Sequence, residues 1–299
     1  MLPSKCTAHR KITPAVALSY GHITSIIYVV ALYALLPSKV RRLHRNHPLQ
    51  IRYRLCIVVV LSLVALYTYA PIFCYIGPSD DMDRPNDYYI EIESDVKSNN
   101  SLHVILSRNK DGYRLCSMQD FKVILHCMIL FAVPMFLSGR DIVSNLLYSY
   151  PILEVLRNLI IGPLTEEIVF RACIVPPLLA AGFSTTMTVW CAPLFFGTAH
   201  IHHMINNIRN GISVKNALLI TAVQFTYTYL FGAYSSFAYI KTGSVAAIFY
   251  GHAFCNMMGL PNVSFMSPKS NFYTFRWIIV FFYVLSIATF SKTFSSLNM

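Results

Sequence analysis

The sequence predicts an all-α fold, a polytopic integral membrane helical bundle of about eight transmembrane helices. Three observations predict it. The 299 residues are 55% hydrophobic and only 12% charged, about half the charged fraction of a typical soluble domain. The apolar residues fall in long runs, several of them near the ~20 helical residues that cross a hydrocarbon core of about 30 Å. Only helices or closed barrels satisfy every backbone group in lipid, and the alternating segments of about ten residues that mark a barrel are not the dominant pattern here. The same composition excludes a nucleic-acid-binding domain despite the net charge of +11. It also excludes a disordered or collagenous chain. A disulfide scaffold is not expected either: the eight cysteines are scattered, mostly within apolar runs, and show no CxxC or finger-like spacing.

The first run, at about residues 13–36, is too long for a signal-peptide core and lacks a small-residue cleavage site, so it reads as a retained transmembrane helix. A second run follows at about 55–76. Between them Lys39, Arg41, Arg42, Arg45, Arg52 and Arg54 stand without an acid, which the positive-inside rule places in the cytosol. Nine of the thirteen acids lie from Asp80 to Asp120, so residues 77–120 read as a polar loop on the lumenal side. Alternation at Tyr88–Ile92 and Leu102–Leu106 suggests a small hairpin within it, and Asn99-Asn100-Ser101 is a glycosylation sequon. The chain thus divides into an N-terminal two-helix membrane region, 1–120, and a helical membrane core, 121–299. Apolar segments in the core fall at about 121–138, 144–162, 164–181, 184–199, 215–233, 235–257 and 272–290. No internal repeat supports an inverted-repeat transporter.

An ionisable residue within a membrane helix is costly and is by default a functional candidate. Three clusters qualify. In Thr165-Glu166-Glu167-Ile168-Val169-Phe170-Arg171, the preceding Gly162-Pro163 and the acids suggest a helix N-terminus. Glu167 and Arg171, four apart, share a helix face and suit an ion pair; Glu166 points about 100° away and is free for other work. In Phe196-Gly197-Thr198-Ala199-His200, a histidine ends an apolar run with an aromatic one turn earlier. The neighbouring His202 and His203 read as a polar helix end rather than as metal ligands. In His252-Ala253-Phe254-Cys255-Asn256, two hydrogen-bonding side chains share one face of an otherwise apolar helix. Together these supply a carboxylate for water activation, imidazoles to position that water or pass its proton, and a His/Asn pair to donate to an oxyanion. The reaction that needs those parts is hydrolysis of an amide. One Glu and two His could also form a zinc site. No metal is the expectation, because Asn256 suits a donor role better than a ligand role.

At these residues the chain resembles the type II CAAX prenyl endopeptidases, whose pattern is E-E-x-x-x-R, then F-x-x-x-H, then H-x-x-x-N. Here these are Glu166-Glu167 with Arg171, Phe196 with His200, and His252 with Asn256. Flanking residues resemble the family too, over about 155–260, whereas the N-terminal third does so only in hydropathy. The resemblance implies that Glu166 activates the attacking water with His200, that His252 and Asn256 form the oxyanion site, and that Glu167, Arg171 and Phe196 give structural support. It implies a metal-independent mechanism and no cofactor. It further implies residence in the endoplasmic reticulum membrane and removal of the C-terminal aaX tripeptide from farnesylated or geranylgeranylated proteins, such as Ras-like small GTPases. Two other classes stay open from the residues alone: a transporter or proton-coupled channel using the Glu and His residues as a relay, and a non-catalytic scaffold of the same fold.

Overall fold

The computed structural model describes residues 12–73, 118–198, 202–209, 211–260 and 263–294. Among them the chain is helical throughout, with no strand. The first helix, α1 (Pro14–Ala34), starts where Thr13 accepts from the Val16 amide and Pro14 occupies the first turn. A short α2 (Ser38–Arg41) leads to α3 (Pro48–Phe73). Both α1 and α3 are long and apolar enough to cross a membrane, as is the last helix of the chain over Tyr273–Thr293. The hairpin expected within 88–106 and the Asn99 sequon lie outside the described residues, as does most of the polar loop. That loop's expected end overlaps α4, which begins at Met118.

Two helices, α4 (Met118–Leu130) and α5 (Ala132–Tyr148), form one apolar stretch that turns through 96° at Phe131. A third feature is an irregular helical rod from Ile152 to Ala172. It runs through α6 (Ile152–Val155), a π-helical turn (Leu156–Ile161), α7 (Gly162–Glu167) and a second π-helical turn (Ile168–Ala172). Then come α8 (Val175–Ala180), α9 (Thr185–Thr198), α10 (His202–Arg209), α11 (Val214–Thr242), α12 (Val245–Met258) and α13 (Arg276–Phe294). Three described helices meet the length and hydropathy of a span, or four if the bent pair is one span. The expectation of about eight rested on apolar segments, and several of those are not long helices. Residues 185–198 reach only about 21 Å at 1.5 Å per residue, and the rod carries five charged residues, Glu154, Arg157, Glu166, Glu167 and Arg171, and two π turns.

The break expected between the segments 215–233 and 235–257 also falls later than hydropathy suggests. A single helix runs to Thr242 and ends at Gly243, whose φ of +63° is the left-handed cap that glycine adopts without strain. Ser244 then caps α12 through the Ala247 amide. Around the rod, Phe170, Cys173, Ile174, Val175 and Leu178 pack with Phe195 and Phe196 of α9 and with Ala17 and Tyr28 of α1. The rod is therefore held between the N-terminal helices on one side and α12 on the other.

Candidate active site

The two glutamates sit in mid-rod, not at a helix N-terminus as Gly162-Pro163 suggested. The residue before Gly162 is already helical, and no side chain caps the turn. What the Gly-Pro pair does is set a π register. The Gly162 amide bonds the Arg157 carbonyl, five residues back. Pro163 has no amide to give, so the Asn158 carbonyl has no donor five residues ahead of it. Asn256 of α12 supplies one, its Nδ2 donating to that carbonyl at 3.0 Å. Glycine is required at 162 because a Cβ there would collide with the Arg157 carbonyl oxygen. The second π turn repeats the device, with the Cys173 amide on the Ile168 carbonyl. π turns of this kind concentrate at functional sites.

Between the two π turns, Glu167 is fully buried and Arg171 is 1% exposed. The expected pair is present, with Arg171 Nη1 donating to Glu167 Oε1 at 3.1 Å. The guanidinium also lies 4.6 Å from the Phe196 ring centroid and 5.9 Å from that of Phe231, an arrangement that favours a cation in a desolvated site. Glu167 Oε2 and Arg171 Nη2 have no hydrogen-bond partner among the described residues.

His252 comes from α12, 85 residues along the chain, and meets both glutamates. Its Nδ1 lies 2.6 Å from Glu167 Oε1, and its Nε2 lies 3.7 Å from Glu166 Oε2. A carboxylate only accepts, so Nδ1 carries the proton in the short contact. The tautomer follows: in the neutral ring Nε2 is an acceptor, and it donates only in the charged ring. The 3.7 Å to Glu166 exceeds a direct hydrogen bond, but one water can touch both groups. Glu166 is partly exposed, at 27%, unlike its neighbour. Phe196 and Phe231 wall the His252 ring at centroid distances of 6.4 and 4.8 Å. Asn256 is exposed one turn along α12. Its amide nitrogen has two protons; one serves the Asn158 carbonyl and the second is available.

The structure thus gathers Glu166, Glu167, Arg171, Phe196 and His252, and places Asn256 at their edge. His200 lies outside the described residues, as do the side chains of His202 and His203. Among the described residues no three His, Cys, Asp or Glu side chains form a metal-ligand set. Sequence reasoning missed Phe231, one of a run of aromatics on α11, and Asn158, whose backbone rather than side chain is used. It also missed Tyr28 of α1, whose hydroxyl lies 3.3 Å from Thr165 Oγ1. The signal for Tyr28 was a phenol in an otherwise apolar run.

Residues 148–258 match the family model described as Type II CAAX prenyl endopeptidase Rce1-like. The chain is 45% identical over 123 residues to "CAAX prenyl protease 2" of Arabidopsis thaliana, covering 41% of this chain and 40% of that protein. It is 50% identical over 109 residues to the Homo sapiens protein of the same name, covering 36% and 33%. It is 38% identical over 162 residues to "Probable CAAX prenyl protease 2" of Schizosaccharomyces pombe, covering 48% and 56%. The chain therefore aligns with between a third and a little over half of these relatives' own lengths. No solved structure matches it. The segment that holds Glu166, Glu167, Arg171, Phe196, His252 and Asn256 matches the type II CAAX prenyl endopeptidase family, as its three motifs predict.

Proposed function

We propose that this protein is an intramembrane endopeptidase of the endoplasmic reticulum membrane, with about eight spans. It removes the C-terminal aaX tripeptide from farnesylated or geranylgeranylated CAAX proteins such as Ras-like small GTPases, and it uses no metal. The observation that carries this reading is the Glu166–His252–Glu167–Arg171 constellation, buried except at Glu166, which lies inside the segment matched by the family. The relatives named CAAX prenyl protease 2 support the substrate class.

In this reading Glu166, the exposed carboxylate, takes a proton from water as the water oxygen bonds to the scissile carbonyl carbon. His252 Nε2 holds that water, oriented by the Nδ1–H bond to Glu167, and His200 acts with Glu166. The developing oxyanion takes the second proton-bearing arm of the Asn256 amide, joined by His252 when its ring is charged. A donor aimed at that oxygen contributes about 10²–10³ in rate. The intermediate collapses by breaking the C–N bond, and the proton held by Glu166 passes to the tripeptide's new amine.

The test uses purified protein in liposomes, a farnesylated CAAX peptide and its unprenylated twin, with and without a strong zinc chelator. Prenyl-dependent tripeptide release, unaffected by chelator and abolished in Glu166→Gln, is the expected result. Release restored by zinc after chelation would replace the metal-free mechanism. No release from folded protein would overturn the enzyme reading in favour of the transport or scaffold classes.

A further inference from the structure

The glutamate turn is held from outside its own segment. Tyr28 of α1 is buried, 7% exposed, with its hydroxyl 3.3 Å from Thr165 Oγ1. Thr165 Oγ1 also lies 2.8 Å from the Ile161 carbonyl and 3.0 Å from the Gly162 carbonyl. A carbonyl only accepts, so the single threonine proton goes to the backbone. Thr165 must then accept from Tyr28, and the chain of donation runs in one direction, from phenol to threonine to the last turn of the π segment. The Tyr28 ring is fixed in turn by an edge-to-face contact with Phe170, with centroids 5.4 Å apart. Phe170 belongs to the second π turn, so one tyrosine touches the rod on both sides of Glu166 and Glu167.

We infer that Tyr28 is a positioning residue for the catalytic glutamate: its hydroxyl, acting through Thr165, locks the rod in the register that turns Glu166 and Glu167 together toward His252. This rests on the peptidase reading for its kinetic consequence but not for its geometry. The register matters because neighbouring residues of a regular α-helix diverge by about 100°. Here both carboxylates reach opposite nitrogens of one imidazole. The carbonyls of Ile161 and Gly162 lie where the π turn passes into α7, the point at which the rod would slip if it relaxed to a uniform helix. The matched segment begins at residue 148, so α1 supplies a working part of a site otherwise contained in that segment.

The test removes one oxygen and keeps the ring. Tyr28→Phe retains the packing on Phe170 and is expected to lower kcat about tenfold or more, since sub-ångström misplacement is costly in a positioned site, with KM within about twofold. Thr165→Val should give the same loss, and the double variant no further loss. Thr165→Ser, which keeps the hydroxyl, should rescue most of it. An activity-independent arm follows the Glu166 carboxylate infrared band at fixed pH, isolated by difference against Glu166→Gln. Its frequency is expected to shift in Tyr28→Phe, as the carboxylate leaves its place beside His252, and to return in Thr165→Ser relative to Thr165→Val. Wild-type kcat and an unmoved band in Tyr28→Phe would overturn the inference, and so would additive losses in the double variant. If wild type cleaves nothing, the peptidase reading fails, and the infrared band alone decides the clamp.

Discussion

Neutralising one half of the Glu167–Arg171 pair should be far worse than neutralising both. Glu167 is fully buried and Arg171 is 1% exposed, with one direct bond of 3.1 Å. Glu167→Gln keeps an amide oxygen for His252 and Arg171 but leaves the guanidinium buried without its facing charge. Arg171→Met leaves the carboxylate with only the His252 bond and removes the cation from between Phe196 and Phe231. Breaking a buried pair from one side costs about 3–5 kcal/mol. Losing the ring contacts adds about 0.5–2 kcal/mol to the second variant. The double variant removes both charges. It also removes Arg171 Nη2, a polar atom that the fold leaves without a partner among the described residues. Replacing a buried pair by neutral groups of similar volume is often neutral in stability, so its cost should stay under about 2 kcal/mol. With about 2–3 °C of Tm per kcal/mol for a chain of this size, Glu167→Gln should melt roughly 6–15 °C lower, Arg171→Met roughly 7–21 °C lower, and the double variant within about 5 °C of wild type. Thermal unfolding of the purified protein in one detergent reads this directly. Tripeptide release should remain poor in the double variant, because His252 has lost the carboxylate that orients it. A double variant destabilised by the sum of the singles would refute the claim that the charges compensate one another.

Three further outcomes follow from the same geometry. Gly162→Ala places a methyl against the Arg157 carbonyl oxygen and should destabilise by about 1–3 kcal/mol, as overpacking does, with loss of release exceeding the loss of folded protein; unchanged melting and activity would remove the argument for a required π register. Asn256→Ala and Asn256→Asp should lower kcat alike, by about 10²–10³, because neither can donate, while melting shifts little at this exposed position; an active Asp variant would exclude the donor role. Cys173→Ala and Cys255→Ala should leave kcat largely intact, and strong loss from either, in folded protein, would point to a thiol nucleophile.

Local regularities were legible in the sequence, and long-range ones were not. The four-residue spacing of Glu167 and Arg171 announced an ion pair, and that pair is formed. The same spacing put His252 and Asn256 on one face but said nothing of what they face. The contact of His252 with Glu167 spans 85 residues and depends on how α12 crosses the rod. The π turns were hidden, because nothing in the spacing of the run Leu156–Ala172 distinguishes a π turn from an α turn. Its one visible irregularity, Gly162-Pro163, carried two meanings. Read by local preference it starts a helix; in the fold it withholds an amide that Asn256 replaces. Gly243-Ser244 was a legible stop and start, masked by equally apolar residues on both sides. Tyr28 was invisible as a partner, since a tyrosine in a membrane helix has many uses and only the fold brings it to Thr165.

Each π turn is, in effect, one residue more than a regular helix would hold over the same length. Deleting one residue from 156–161 would therefore leave a regular helix of the same length, with the residues beyond it still in place. The harmful change is relaxation of the full sequence to a regular helix, because the surplus residue would then rotate everything beyond it by about 100°. Relaxed at the first turn, the rod would swing both carboxylates off the imidazole. In this stretch of chain the irregularity absorbs a surplus residue, and a helix without flaws would be the inactive one.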